Sequence, residues 1–165
     1  MLNTYGWSEK LHQQFQTHAA CGLVPGRVIV QQRGLYALAT GMGEVTARLS
    51  GRFVHEADAG MHPVAGDWVA AAVRPDEATA TIQHVLPRHS AFIRKAAGNG
   101  RMAQVVAANV DVAFVVTSLN ADLNARRLER YLATAWDSGA SPVIVLTKAD
   151  LCHDHVAHVS PSPSR

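Results

Sequence analysis

Short segments that alternate apolar and polar residues fill the first half of the chain and indicate β-strands. Glycine and proline residues separate them, as at the turns of a small β-structure. In the stretch EVTARLS, Val45, Ala47 and Leu49 fall on one face of a strand, and Thr46 and Arg48 fall on the other. Five such segments at this spacing predict a small barrel or sandwich. They read GRVIVQQRG, LYALAT, EVTARLSG, DWVAAAV and TATIQHVLP.

The N-terminal segment predicts a short helix and not a targeting signal. Ser8 is a good N-cap, and Leu11 and Phe15 stand four residues apart, as on one face of a helix. The stretch MLNTYGWSEKLHQQFQTH has no uninterrupted apolar core of the kind that a signal peptide needs.

From Asp111 onward the pattern changes to alternating strand and helix. The stretch DVAFVVTSL is an almost continuous apolar strand, which is typical of a parallel sheet covered on both faces. A helix with Asp122 or Asn124 as its cap and Gly139 at its end precedes a second strand, SPVIVLTKAD. This βαβ unit predicts two parallel strands, which are too few for a stable sheet and indicate part of a larger domain. Its apolar helix face comprises Leu128, Tyr131, Leu132, Ala135 and Trp136.

Between these two regions lies a basic segment without a clear period, RHSAFIRKAAGNGRMAQ. The simplest interpretation is a solvated linker over residues 91–108. The alternative is a strip that contacts an RNA backbone, because arginine and lysine make most phosphate contacts. Its basic residues are Arg88, Arg94, Lys95 and Arg101.

Composition narrows the class of protein only a little. Of 165 residues, 48% are hydrophobic and 17% charged, which is enough apolar material for a core. The formal net charge of +2 permits RNA contact without requiring it. Two distant cysteines, Cys21 and Cys152, fit a reducing compartment, and no apolar run is long enough to span a membrane. We therefore expect a cytoplasmic protein.

Thr147, Lys148, Ala149 and Asp150 form the motif with the most specific chemistry. They follow an apolar strand, and ligands of parallel sheets collect at the carboxyl ends of strands. One carboxylate can accept both neighbouring donors of guanine, a pair that adenine does not offer, so Asp150 would select GTP. The aliphatic stem of Lys148 could lie along the base, and the Thr147 hydroxyl could hold the loop. The alternative is an Asp150 that caps a following helix.

A phosphate-binding loop is missing from the sequence. The signature G-x-x-x-x-G-K-[ST] needs a Gly-Lys pair, and the 165 residues contain none. Without this loop no backbone cradle holds the phosphates, no lysine reaches them and no hydroxyl binds magnesium.

The chain resembles the N-terminal half of the ribosome small subunit-dependent GTPase A family, which is a family of circularly permuted GTPases. The resemblance covers most of residues 5–152, with Thr147 in place of the more usual asparagine. The matching stretches are GLVPGRVIVQQRGLYAL, ARLSGRF, HPVAGDWVA, VLPRHSAFIRKAAG, QVVAANVDVAFVVTSLN, NARRLERYLATA and PVIVLTKADL. In this family the guanine motif precedes the phosphate loop, so the resemblance explains the order of motifs.

The resemblance implies a fold of two kinds, β followed by α/β. A five-stranded OB-fold barrel with its N-terminal helix would occupy residues 1–90, with the linker at 91–108. The first βαβ part of a circularly permuted P-loop GTPase domain would occupy residues 109–159. The tail SPSPSR, residues 160–165, is expected to be disordered. The family's phosphate loop, magnesium switches and C-terminal zinc module do not follow, so we expect a truncated member.

The same resemblance implies late maturation of the small ribosomal subunit, with GTP and magnesium as cofactors and hydrolysis stimulated by the subunit. The partners would be the subunit and its RNA, no membrane would be involved, and the protein would be a monomer. We expect no catalytic residue in this chain. The candidate RNA-binding residues are Arg33, Arg48, Arg52, Arg94 and Lys95. Tyr36 and Phe53 could be aromatic platforms, although core positions are the simpler interpretation.

Two alternatives to an enzyme stay open: an RNA-binding OB module without turnover, and a non-functional fragment with an exposed sheet edge. His153, His155 and His158 resemble metal ligands in type, but imidazoles on a polar tail are usually solvated, so no metal site is expected.

Overall fold

The computed structural model describes residues 2–56, 61–95, 103–119 and 123–151. The chain divides into two compact units, Met1–Val110 and Asp111–Arg165, and each is described by itself.

A closed barrel of five strands forms the centre of the first unit. The strand order is β1-β2-β3-β5-β4, and β1 and β4 pair to close the barrel. All pairs are antiparallel except β3 with β5, which is parallel. The predicted barrel is therefore confirmed, and its architecture is that of an OB-fold. The strands are β1 Val24–Gln32, β2 Leu35–Thr40, β3 Gly43–Leu49, β4 Trp68–Arg74 and β5 Thr79–Val85.

The barrel interior is filled by the inward-facing residues of every strand. On β3, Val45 and Ala47 are buried while Thr46 and Arg48 are exposed, so the predicted alternation is confirmed. These small and branched side chains fit the narrow interior of a five-stranded barrel. The interior cluster comprises Val28, Tyr36, Leu38, Val45, Ala47, Val69, Ala71, Ala80 and Ile82.

The first unit also contains two α-helices, one before the barrel strands and one between them. Helix α1, Glu9–Ala19, begins where predicted, since the Ser8 hydroxyl accepts a hydrogen bond from the Leu11 amide. Its Phe15 belongs to a second buried cluster with Trp68 of β4. The short helix α2, Gly51–Glu56, lies between β3 and β4 in sequence.

The basic segment is more regular than predicted. Strands β6, Ala91–Lys95, and β7, Ala103–Ala108, pair as an antiparallel hairpin within the first unit. The interpretation of residues 91–108 as a linker is therefore wrong for these two strands. Their pairing shifts register between Phe92 and Ile93, and such an irregularity breaks the period of two that marks a strand in a sequence.

The second unit contains the predicted βαβ motif. Strand β8, Val112–Ser118, and strand β9, Ser141–Thr147, are parallel, with helix α3, Ala125–Asp137, between them. Asn124 caps α3 by accepting a hydrogen bond from the Arg127 amide at 3.0 Å, and Gly139 has a φ of 89°. Both helix boundaries match the sequence. At 13 residues, α3 is the longest helix of the described part, and no helix there qualifies as a membrane span.

Burial in the second unit differs from the prediction. The side chain of Phe114 is 68% exposed, and Val116 on the same face of β8 is exposed too. On α3, Leu128 and Leu132 are half-buried and Ala135 is buried, but Trp136 is 64% exposed and Tyr131 is also exposed. The expectation of strands covered on both faces is therefore wrong for the described residues, because α3 packs on one face only. The exposed positions on β8 and the half-buried ones alternate, as this one-sided packing requires.

Gly66 lies where two backbone segments of the first unit come into close contact. Its φ is +90°, and a Cβ at this position would stand 2.0 Å from the carbonyl oxygen of Ala108. The Gly66 amide donates to the Val28 carbonyl at 2.8 Å, and its own carbonyl accepts from Asn109 Nδ2 at 3.0 Å. The end of β7 can approach the barrel this closely only if residue 66 has no side chain.

We predict that Gly66→Ala lowers the free energy of unfolding by roughly 2 kcal/mol or more, because it adds a clash with rigid backbone to the strain of a positive φ. Urea unfolding would measure the loss. Gly22→Ala is the matched control, since Gly22 has a φ of +75° with nothing within 4 Å of its Cβ position. It should cost about 1 kcal/mol. Equal losses for the two variants would show that the close contact does not matter.

Candidate guanine-binding turn and nucleic-acid interface

The carboxyl ends of β8 and β9 are held together by two hydrogen bonds. Thr147 Oγ1 donates to the Thr117 carbonyl at 3.2 Å, and the Leu119 amide donates to the Thr147 carbonyl at 2.8 Å. The Thr147 side chain therefore fixes the end of its strand to the neighbouring strand.

The chain turns sharply after Thr147. Lys148 has a φ of 57°, in the left-handed region, and the Leu151 amide donates to the Lys148 carbonyl at 3.1 Å. A short 3-10 turn, Ala149–Leu151, follows. Lys148, Ala149 and Asp150 are exposed, so the Asp150 carboxylate is open to an incoming ligand. The alternative role of Asp150, capping a following helix, falls outside the described residues.

The turn offers one chemical feature that a guanine base can use. An exposed carboxylate at the carboxyl end of a parallel strand can accept the two donors of guanine. In the described ranges, no group of three His, Cys, Asp or Glu side chains is arranged to hold a metal ion. His153, His155 and His158 lie outside those ranges.

The predicted RNA-binding arginines lie on different parts of the first unit. Arg33 occupies the β1–β2 turn with a φ of 50°, and Arg48 is on β3. Arg52, on α2, pairs with Glu56 at 2.9 Å. Arg94, on β6, donates to Gln104 Oε1 at 3.1 Å. Lys95 is the last residue of β6, and its side chain is outside the described part.

The two candidate aromatic platforms differ. Tyr36 is only 2% exposed and belongs to the barrel core, so the simpler interpretation holds for it. Burial and then the charge of Asp67 raise the pKa of its phenol. Phe53 is half-buried on α2 and lies with its ring centroid 6.4 Å from that of His62.

Two open grooves on the barrel surface contain residues that the sequence did not single out. The larger, of about 470 Å³, is lined by Ser50, Arg52, Phe53, Glu56, Gln83 and His84. A second, of about 250 Å³, is lined by Thr46, Arg48, Arg74, Thr79, Ala80 and Thr81. The residues of β3 and β5 meet here because those strands pair in parallel, which is a long-range contact without a local sequence signal. Next to the larger groove, the His18 ring stacks on that of His84 at 4.8 Å, and burial together with His84 lowers the His18 pKa.

Arg88 does not belong to a basic surface strip. Its Nε and Nη2 donate to the two carboxylate oxygens of Asp67 at 2.8 and 2.7 Å, and Nη2 also donates to the His62 carbonyl at 3.0 Å. The Asp67 side chain is fully buried, and that of Arg88 is 16% exposed. The Asp67 carboxylate also accepts from the Val64 amide at 2.8 Å. This guanidinium is therefore occupied within the fold, so the sequence-based alternative of an RNA-contacting Arg88 is wrong.

The architecture matches that of solved circularly permuted GTPases. YloQ, described as a circularly permuted GTPase, superposes with a TM-score of 0.63 at 23% identity over 80% of this chain and 43% of its own. YjeQ from Thermotoga maritima gives 0.63 and 22%, over 83% of this chain and 46% of its own. An OB-fold barrel followed by a parallel βαβ motif therefore defines the class: the beginning of a circularly permuted GTPase fold.

Sequence comparison identifies the family. Residues 85–162 match the family model described as RsgA GTPase. A small ribosomal subunit biogenesis GTPase RsgA from Opitutus terrae is 41% identical over 93% of this chain, and one from Streptomyces coelicolor is 42% identical over 94%. The chain belongs to the RsgA GTPase family. It spans 44% and 41% of the length of these two relatives.

We predict that Asp67→Asn costs about 3–5 kcal/mol in the free energy of unfolding, because it leaves the mostly buried Arg88 guanidinium without its counter-charge. Denaturant unfolding of both proteins would test this. The control is Glu56→Gln, which removes an ion pair whose side chains are 82% and 63% exposed and should change stability little. A loss at Asp67 no larger than that at Glu56 would contradict a structural role for the buried pair.

Proposed function

We propose that this chain acts as the N-terminal part of a small ribosomal subunit biogenesis GTPase, with a barrel that binds ribosomal RNA and a turn that reads guanine. Relatives about 40% identical over nearly the whole chain carry that description, which supports the proposal. The observation that carries it is the placement of Thr147–Asp150 at the carboxyl end of a parallel βαβ motif. The proposed protein is a cytoplasmic monomer, with the small ribosomal subunit and GTP as its partners.

The chemistry of the turn supports the choice of guanine. The exposed Asp150 carboxylate can accept from both the ring N–H and the exocyclic amine of guanine, whereas adenine has no such pair of donors. The Lys148 side chain starts from a left-handed residue at the beginning of the turn, where its aliphatic stem could cover one face of the base. The turn could contact only the base. Other residues would have to hold the phosphates of GTP and the magnesium ion.

Catalysis is proposed for the family and not for these 165 residues alone. Phosphoryl transfer depends on groups that position the phosphates and magnesium. The sequence has no Gly-Lys pair for a phosphate loop, so in this proposal no residue of the chain acts as a catalytic group.

An RNA-binding module without turnover is the second candidate function. The observation that favours it is the polar and basic outer surface of the barrel, where Arg48, Arg52 and Arg74 line two grooves. A third possibility, a fragment without function, is favoured only by the exposed apolar side chains of β8 and α3, which would promote association.

We predict that the purified 165-residue chain releases no phosphate from GTP above the buffer background, with or without magnesium. The physical reason is the missing phosphate cradle. A phosphate-release assay would measure this, with a full-length relative as the positive control. Magnesium-dependent turnover that is specific for GTP and is lost in Asp150→Asn would refute the prediction.

We also predict salt-sensitive binding of the chain to small-subunit ribosomal RNA. If about three phosphates are neutralised, affinity should fall roughly tenfold or more between about 50 and 200 mM salt, because binding releases counterions. Fluorescence anisotropy with a labelled RNA fragment would give the slope. An affinity that stays the same across this range would argue against an electrostatic interface, and no binding at low salt would remove the RNA part of the proposed function.

A further inference from the structure

The parallel pairing of β3 and β5 brings two rows of polar side chains together on the outside of the barrel. Thr46 pairs with Thr79 and Arg48 with Thr81 across the two strands. Ala47 of β3 and Ala80 of β5, which alternate with these residues along the strands, are buried in the barrel interior. The threonine and arginine side chains therefore face outward. The two rows continue past the end of β3, where the Ser50 amide donates to the Ile82 carbonyl at 2.9 Å.

Three arginines are distributed along these rows. Arg48 lies near the middle, Arg74 lines the groove at one end, and Arg52 lines the groove at the other. From Thr46 to Ser50 the rows run for about 13 Å, at ~3.3 Å per strand residue. Thr46 and Thr81 line the same groove as Arg48 and Arg74, and their hydroxyls add neutral donors. Positive charge in both grooves together with hydroxyl donors is the chemistry that contacts a phosphate backbone.

An aromatic ring stands at one end of the rows. Phe53 is half-buried and lines the larger groove together with Gln83 and His84. The groove is open to solvent, so a flat group could enter it beside the ring. A base can use such a site only when it is unpaired, because a paired base has both faces covered by its neighbours.

We infer that this surface, named here the β3–β5 strip and made of Thr46, Arg48, Arg52, Phe53, Arg74 and Thr81, binds single-stranded RNA. The phosphates lie along Arg48 and Arg74 with the threonine hydroxyls, and one base enters the groove beside Phe53. The inference rests on the RNA binding of the proposed function and gives it a location. The location differs from the β2–β3 face on which OB-folds commonly bind oligonucleotides.

Carboxylates at the two ends of the strip compete with RNA for its arginines. Glu56 pairs with Arg52 at 2.9 Å, and Glu77 approaches Arg74 at 3.6 Å. Both pairs are exposed, and exposed pairs are weak enough for a phosphate to replace the carboxylate. Glu44 precedes Thr46 on the outer face of β3, so negative charge also limits the strip at that end. Removing a carboxylate should therefore strengthen RNA binding.

The test is fluorescence anisotropy of the full chain with a labelled, unstructured RNA of about 12 nucleotides at low salt, within the range of lengths that OB-folds bind. Arg48→Gln alone should bind about threefold or more weakly, and the double variant Arg48→Gln/Arg74→Gln roughly tenfold or more weakly. Phe53→Leu, which keeps an apolar side chain without the ring, should bind about fivefold more weakly. Glu77→Gln should bind more tightly than the original chain.

Lys10→Gln is the charge control, because Lys10 is exposed on α1 and lines neither groove. It removes one positive charge, as Arg48→Gln does, and should change affinity less than about twofold if contacts on the strip matter more than overall charge. Urea midpoints of the arginine, glutamate and lysine variants should agree with that of the original chain, since these substituted residues are exposed. The midpoint of Phe53→Leu is measured as well, because Phe53 is half-buried. This comparison separates loss of binding from loss of folding.

Two outcomes would overturn the inference while leaving RNA binding intact. The first is that Arg48→Gln and Lys10→Gln lower the affinity for the labelled RNA equally. The second is that unlabelled single-stranded RNA and fully paired RNA of the same length displace it equally well. Displacement of the RNA by an acidic peptide at the same charge concentration would likewise overturn it in favour of a protein partner. If the original chain binds no RNA at low salt, both the inference and the RNA part of the proposed function fail.

Discussion

The first unit depends on one buried charge and its partner. Asp67, directly before β4, has a fully buried side chain, and burial of a carboxylate is costly unless it is paired and hydrogen-bonded. Its partner Arg88 follows β5 and also reaches the His62 carbonyl, so the pair fastens the segment before β4 to the segment after β5. The Val64 amide supplies a third contact to the carboxylate. The ends of two barrel strands are therefore fixed by a charge that cannot be left unpaired.

Asn109 extends this constraint from the barrel to the β6–β7 hairpin. Its side chain accepts from the His89 amide at 3.0 Å and donates to the Gly66 carbonyl, while its own carbonyl accepts from Arg27 Nη2 at 2.9 Å. Asn109 has a φ of 53°, a conformation that asparagine tolerates better than most residues. Ser90 completes the arrangement by donating to the Val110 carbonyl at 2.8 Å. The hairpin thus belongs to the barrel unit through polar contacts between residues far apart in sequence.

Local features of this fold could be predicted from the sequence, and long-range ones could not. The cap at Ser8 and the alternation along β3 follow from residues a few positions apart, and both are confirmed. The partner of Arg88 lies 21 residues away and has no periodic signal, so Arg88 looked like surface charge. The exposure of Phe114 depends on what packs against β8, which its apolar pattern does not reveal. The candidate guanine-binding turn could be singled out because its four residues are consecutive.

On β3 and β5, the side chains that pack in the barrel interior and those that face outward belong to different residues, and this affects how the protein can change over evolutionary time. Inward residues such as Ala47 and Ile82 are constrained by a closely packed interior, whereas Thr46, Arg48 and Thr81 contribute nothing to it. Substitutions at the outward positions can therefore accumulate without a loss of folding stability. The barrel could acquire a new surface specificity in single steps, each of which leaves a folded protein.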